Sequence, residues 1–165
     1  MSLDEVIFVE ENGVGIITLN RPERLNAITH PMVKKINHHL NVWEKNDGIK
    51  CIIIEGAGDR SFCAGGDVVK LRKEVLEAGG PPTDLSRSFF YDEYTLNYKI
   101  SNYNKPFIAL INGFTMGGGV GISMHGSHVV ASEKTMFAMP ETAIGLFPDV
   151  GGGFLLGQLE SGIGA

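Results

Sequence analysis

Two carboxylates, Glu141 and Asp149, stand in a stretch from Met139 to Gly153 that is otherwise apolar and punctuated by glycine and proline. The stretch holds no Lys, Arg or His to pair with them. A carboxylate among apolar residues and without a cation loses solvation, and its pKa rises. This is one way a protein prepares an acid, a base or a carboxylate nucleophile. The competing assignment is structural, a helix cap for one carboxylate and a turn residue for the other.

Two glycine loops upstream suggest what such a carboxylate could work against. Ala64-Gly65-Gly66-Asp67 follows one apolar run and Gly117-Gly118-Gly119 follows another, each leading into a helical pattern. Glycine there exposes backbone N–H groups to a ligand, and a helix N-terminus adds positive potential. One N–H from each loop aimed at one point would make an oxyanion hole. Close packing of helix on strand would explain either loop alone. The second loop is not a phosphate-binding P-loop, because no Gly-Lys-Ser/Thr ends it. It also lacks the G-x-G-x-x-G spacing of a dinucleotide site. A third carboxylate, Glu93, falls four residues after Phe89 and three before Leu96, on the apolar side of a helical pattern. The alternative places Glu93 at the edge of that face, reaching water.

The elements that must hold these groups follow from periodicity. Val6 to Val9 and Val14 to Leu19 read as a hairpin across Glu11-Asn12-Gly13. Pro31 to Lys45 has a helical period with Val33, Ile36, Leu40 and Trp43 inward. Cys51 to Ile54 and Pro106 to Ile111 are apolar runs typical of strands covered on both faces. Helices are predicted over Val68 to Leu76 and from about Asp84 to Asn102, with Gly79-Gly80-Pro81-Pro82 as a flexible insert between them. Short strands are predicted at His128 to Ala131 and Thr135 to Ala138. Strands recurring between helices make this an α/β chain.

Composition narrows the functions. The 165 residues suggest one domain, and 43% hydrophobic with 20% charged residues is ordinary for a globular core. A net charge of −5 without a Lys/Arg block argues against a nucleic-acid surface. Glycine is abundant, 22 residues, and clustered, which favours sharp turns and close approach to a ligand. Cys51 and Cys63 form no disulfide framework or zinc pattern, and a reducing compartment is the simpler reading. No run approaches the roughly 18 apolar residues of a membrane span. The acidic start, Met1 to Glu5, resembles neither a signal nor a transit peptide. The five histidines, His30, His38, His39, His125 and His128, lack metal-ligand spacing, and His38 and His39 suit a solvated helix face. Ser123 has no nucleophile elbow, and Cys63 reads as a packed thiol.

With these residues in view, the chain resembles the crotonase (enoyl-CoA hydratase/isomerase) superfamily over nearly its whole length. Four ordered blocks carry the resemblance: Leu19-Asn20-Arg21-Pro22-Glu23 to Asn26-Ala27; Phe62 to Asp67; Asn112-Gly113 through Gly119; and Met139-Pro140-Glu141 through Pro148. The resemblance implies a spiral of β-β-α units, with residues 1–165 an acyl-CoA-binding core. It implies a thioester carbonyl polarised by two amides, here those of Gly66 and Gly118. Hydratases of the superfamily carry a glutamate two residues after the triple glycine, where this chain has Gly121. Glu141 with Asp149 eight residues on is similar to the 3-hydroxyisobutyryl-CoA hydrolase subgroup, in which those two positions serve thioester hydrolysis. There the carboxylate matching Glu93 lines the substrate site.

The implied reaction is hydrolysis of a short branched 3-hydroxyacyl thioester, as in valine breakdown. Glu141 would attack the carbonyl or activate water, Asp149 would bind the acyl hydroxyl or position water, and Glu93 would shape the acyl pocket. No separate cofactor and no metal is implied, coenzyme A being part of the substrate. The expected partner is an acyl-CoA, with no nucleic acid and no membrane, and a homo-oligomer is left open. Hydration or isomerisation with Glu141 as sole acid/base remains an alternative, as does a CoA-binding module without catalysis. Family members continue well beyond Ala165 into C-terminal helices, so the chain reads as an N-terminal part whose core would expose apolar surface. The compartment is bacterial cytoplasm or, in a eukaryote, the mitochondrial matrix.

Overall fold

The structure is a computed structural model that describes residues 4–80 and 82–159. Met1 to Leu3, the first three residues of the acidic start, Pro81 of the expected insert, and the end from Glu160 to Ala165 lie outside the described residues.

β1 (Val6–Glu11) and β2 (Val14–Leu19) form the antiparallel hairpin. Asn12 and Gly13 both take positive φ, 51° and 82°, as a two-residue turn matching strand twist requires. α1 (His30–Lys45) starts where Thr29 accepts the N–H of Met32, with Pro31 in its first turn. Its buried stripe of Met32, Val33, Ile36, Leu40 and Trp43 follows the predicted period. Trp43 lies against Gly15 of β2, where a Cβ would come within 2.7 Å of the indole ring. Gly15→Ala should therefore overpack this contact and cost about 1–3 kcal/mol. Urea unfolding followed by fluorescence of the single tryptophan measures it; an unchanged midpoint would contradict the packing.

The rest of the chain repeats one unit. β3 (Cys51–Gly56) is followed by β4 (Ser61–Cys63), α2 (Val68–Glu77) and α3 (Asp84–Ser101). β5 (Phe107–Ile111), β6 (Phe114–Met116) and a single turn α4 (Gly118–Gly121) follow, then β7 (His128–Ala131) and β8 (Met136–Ala138). A 3-10 turn at Glu141–Ile144 and α5 (Gly152–Gly157) complete the described chain. The first strand of each unit joins a five-stranded sheet ordered β1-β2-β3-β5-β7, and the second joins a three-stranded sheet ordered β4-β6-β8. All pairs beyond the hairpin are parallel. Each unit thus steps both sheets forward by one strand, the β-β-α spiral expected from the resemblance.

Three sequence expectations change. β4 and β6 are three-residue strands that periodicity did not single out. α4 is one turn, so the second glycine loop has little helix behind it to supply a dipole. β3 alternates rather than being sealed on both faces: Ile52 and Ile54 are fully buried in the core, while Cys51 and Ile53 are half-buried. Among the described residues no helix is long and apolar enough to cross a membrane. Apolar side chains at the far edges of the two sheets are exposed, including Val130, Met136 and Phe137. Unpaired, apolar sheet edges favour association with another surface.

Candidate active site

The first glycine loop is held by a network that begins in the N-terminal block. Asn26 takes a left-handed backbone, φ 55°, and is wholly buried. Its side-chain amide donates to the carbonyls of Ala57 and Ser61, and its oxygen accepts the N–H of Arg21. Arg21 pairs with Asp67 at 2.9 Å and with Glu5 at 3.2 Å. Asp67 also caps α2 by accepting the N–H of Lys70. Ile28 accepts from Asp67 and donates to Gly65, a parallel bridge that skips Gly66. In a parallel bridge the residue between the two bonded neighbours turns its own N–H away from the partner strand. Among the described residues the Gly66 N–H meets no protein acceptor.

The second loop approaches from the other side. A Cβ on Gly118 would lie 3.3 Å from the Gly66 nitrogen and would overlap Glu93 Oε1. A Cβ on Gly65 would lie 3.8 Å from the Gly118 nitrogen. A Cβ on Gly119 would strike the Cys63 carbonyl, so this loop seats directly on β4. Gly118 is the first residue of its turn, and its N–H has no acceptor among the described residues. Two unpartnered amides therefore stand side by side at the mouths of β4 and β6.

The three carboxylates surround this point. Glu93, Glu141 and Asp149 line one cavity of about 260 Å³ together with Gly66 and Gly118. This is below the roughly 300 Å³ at which pockets for drug-sized ligands begin, a size suited to a short acyl group. Glu93 is 3% exposed rather than at a wet edge of α3. Burial, then the charges of Asp149 and Glu141, push its carboxyl up to about 8, so it is neutral at pH 7. Glu141 is 7% exposed, and its Oε2 is buried without a partner among the described residues. Its Oε1 lies 2.7 Å from where a Cβ on Gly117 would stand. Burial raises the Glu141 pKa, a bond from its own backbone lowers it, and the charge of Asp149 raises it further. Pro140, not Glu141, is the N-cap of the 3-10 turn, so Glu141 is not its capping residue. The turn assignment holds for the backbone of Asp149, whose carbonyl accepts from Gly152 at 2.7 Å. Among the described residues no Lys, Arg or His forms an ion pair with any of the three.

The remaining candidates are structural. Cys63 is fully buried, its sulfur accepts the Gly65 N–H, and burial pushes the thiol up to about 12. That makes it a support of the first loop rather than a nucleophile. Ser123 donates to the Gly119 carbonyl at 2.7 Å. His38 is exposed as expected, but His39 stacks on Phe8 at 3.5 Å and is half-buried. His30 pairs with Asp92 at 2.6 Å. Three residues near the site carried no signal in the sequence. The Tyr94 hydroxyl donates to Asp149 at 2.5 Å, His125 contacts the Val150 carbonyl at 2.6 Å, and Asn97 is buried with both polar side-chain atoms unpartnered. Each depends on contact between segments distant in the chain.

The sequence and the fold both have relatives among known proteins. The enoyl-CoA hydratase/isomerase family model matches residues 14–165. The chain is 52% identical over 160 residues to the mitochondrial 3-hydroxyisobutyryl-CoA hydrolase of Danio rerio, covering 97% of this chain and 41% of the relative. It is 48% identical to the human protein of the same name, covering 98% of this chain and 41% of that one. The chain thus spans about two-fifths of the length of these curated relatives. Among solved structures, a carnitinyl-CoA dehydratase from Mycobacterium thermoresistibile aligns with TM-score 0.90 and 42% identity over 96% of this chain and 45% of that one. An enoyl-CoA hydratase from Rhodobacter sphaeroides 2.4.1 aligns with TM-score 0.89 and 38% identity, covering 98% of this chain and 47% of that one. The spiral, the paired glycine loops and these matches agree: the chain belongs to the enoyl-CoA hydratase/isomerase family.

Proposed function

We propose that the chain is the acyl-CoA-binding core of a thioester hydrolase that converts 3-hydroxyisobutyryl-CoA to 3-hydroxyisobutyrate and free coenzyme A. The observation that carries this reading is the placement of Glu141, buried and without a cation, in one cavity with two unpartnered amides. The thioester oxygen accepts from the N–H groups of Gly66 and Gly118, which stabilise the negative charge that develops when the carbonyl is attacked. Glu141 either attacks the carbonyl carbon, expelling the coenzyme A thiolate and giving a mixed anhydride that water hydrolyses to the free acid and the Glu141 carboxylate, or removes a proton from a water that attacks the carbonyl and expels the thiolate. Asp149 receives the acyl hydroxyl. Glu93, neutral at pH 7, walls the acyl pocket without adding a charge. Coenzyme A enters as part of the substrate, and the relatives' names support a mitochondrial place of action.

Hydration or isomerisation is the second reading, supported by the names of the solved neighbours. Hydration by two glutamates needs a second acid/base near Gly121. A Cβ there would stand 2.7 Å from Asn97 Nδ2 and 2.8 Å from Val150 Cβ, so the space is already filled. Supplying crotonyl-CoA and 3-hydroxyisobutyryl-CoA to the same protein separates the readings. Thiol release from the second, with the crotonyl double-bond absorbance unchanged, is the expected result. Loss of that absorbance without thiol release would overturn the proposal. Gly118→Ala should lower thiol release by about 10²–10³-fold, because its methyl displaces Glu93 and crowds the amide pair. Rates within a few-fold of wild type would remove these amides from the mechanism.

A further inference from the structure

We propose that Tyr94 is a positioning residue that gives the site its preference for acyl groups bearing a hydroxyl, by holding one oxygen of Asp149 so that the other faces the bound acyl group. The inference rests on the reading of Asp149 as the acceptor for that hydroxyl. Tyr94 directly follows Glu93 on α3, and its hydroxyl donates to Asp149 Oδ2 across a separation of 55 residues. Asp149 Oδ1 has no partner among the described residues. The Asp149 carboxyl is half-buried and lines both the carboxylate cavity and a wider groove of about 540 Å³ that Tyr94 shares. Unrestrained, it could turn into the open groove and be solvated there.

The backbone beneath Asp149 is held as well. Val150 has φ 44°, a left-handed conformation that a β-branched residue adopts only under constraint. Its carbonyl oxygen accepts from His125 Nε2 at 2.6 Å, which places the imidazole proton on that nitrogen. His125 also packs against Gly151, where a Cβ would come within 2.7 Å of the ring. His125 therefore sets the backbone of the turn and Tyr94 sets the carboxylate it carries. A hydrogen bond to a charged carboxylate is among the stronger neutral-donor contacts, enough to fix its rotamer at a half-buried site.

The test compares two esters that differ by one hydroxyl, 3-hydroxyisobutyryl-CoA and isobutyryl-CoA. The ratio of kcat/KM for the first over the second is measured in wild type, Tyr94→Phe, Asp149→Asn and Tyr98→Phe. Tyr98 lies one turn further along α3 and lines the groove, but its hydroxyl makes no hydrogen bond among the described residues. The same ratio is measured as Kd with the thioether analogues of both esters, which reads out whether or not the protein turns them over. Asp149→Asn and Tyr94→Phe should each lower the ratio by about tenfold, the scale of one hydrogen bond to a charged group. Tyr98→Phe should leave it at the wild-type value, and in Tyr94→Phe the loss should fall on 3-hydroxyisobutyryl-CoA and not on isobutyryl-CoA. A lower ratio in Asp149→Asn with a wild-type ratio in Tyr94→Phe overturns the role of Tyr94 alone. Equal losses for both esters in Tyr94→Phe also overturn it, since they would mark a merely structural contact. An unchanged ratio in Asp149→Asn, or no binding of either analogue, overturns the reading of Asp149 on which the proposal rests.

Discussion

Glu141→Gln is expected to lower thiol release by roughly 10²–10⁴-fold, the span over which a positioned acid or base contributes, while acyl-CoA affinity is retained. Glutamine keeps the size and planarity of the side chain that fills the space over Gly117, so the pocket keeps its shape. What it removes is the lone pair able to attack a carbonyl or to take a proton from water. Stability should not fall, because the native carboxylate is buried with Oε2 unpartnered and no cation beside it. An inactive but fully folded and ligand-competent variant is therefore the expected outcome. Calorimetric Kd values and unfolding midpoints measured beside the rates separate chemistry from folding. Activity near the wild-type level would remove Glu141 from the reaction.

The second large effect concerns Glu93 and appears in stability rather than rate. Its carboxyl titrates near 4.5 in the unfolded chain and near 8 in the folded one. Between those values the folded state holds a proton that the unfolded state has released. Stability from this group therefore falls as pH rises through the window, and the loss is complete above about pH 8. Glu93→Gln lacks the titration. Its stability relative to wild type should climb from pH 4.5 to about 8 and then level off, by on the order of a few kcal/mol. Urea unfolding at a series of pH values measures the difference. A difference that is flat with pH would show that Glu93 is ionised at neutrality and that the cavity is wetter than the geometry indicates.

What the sequence made legible follows from the range of each signal. The hairpin was readable because Asn12-Gly13 is itself the cause of the turn. α1 was readable because its five buried residues repeat with the helical period. β4 and β6 were not, since three residues are too few for alternation to show against a glycine-rich background. Spacing put Glu93 on the apolar side of α3 but could not place it at the centre or the edge of that side. The deciding fact, the contact with Gly118, comes from a segment about 25 residues later. Glycine content marks the two loops, and the family resemblance assigns the oxyanion amides to Gly66 and Gly118. The orientation of the Gly66 amide comes from the Ile28 bridge and the Arg21–Asp67 pair, both of which join segments far apart in the chain. Tyr94, Asn97 and His125 act through contacts with Asp149, Gly121 and Val150, and no local pattern announces such pairings.

The central claim is that this pocket polarises an acyl-CoA thioester for cleavage by Glu141. The most direct measurement takes the affinity for 3-hydroxyisobutyryl-CoA and the release of free thiol from it on one sample of the protein. The account predicts binding accompanied by catalytic thiol release that is lost in Glu141→Gln. Binding without release would contradict it and leave the chain a coenzyme A ester-binding module.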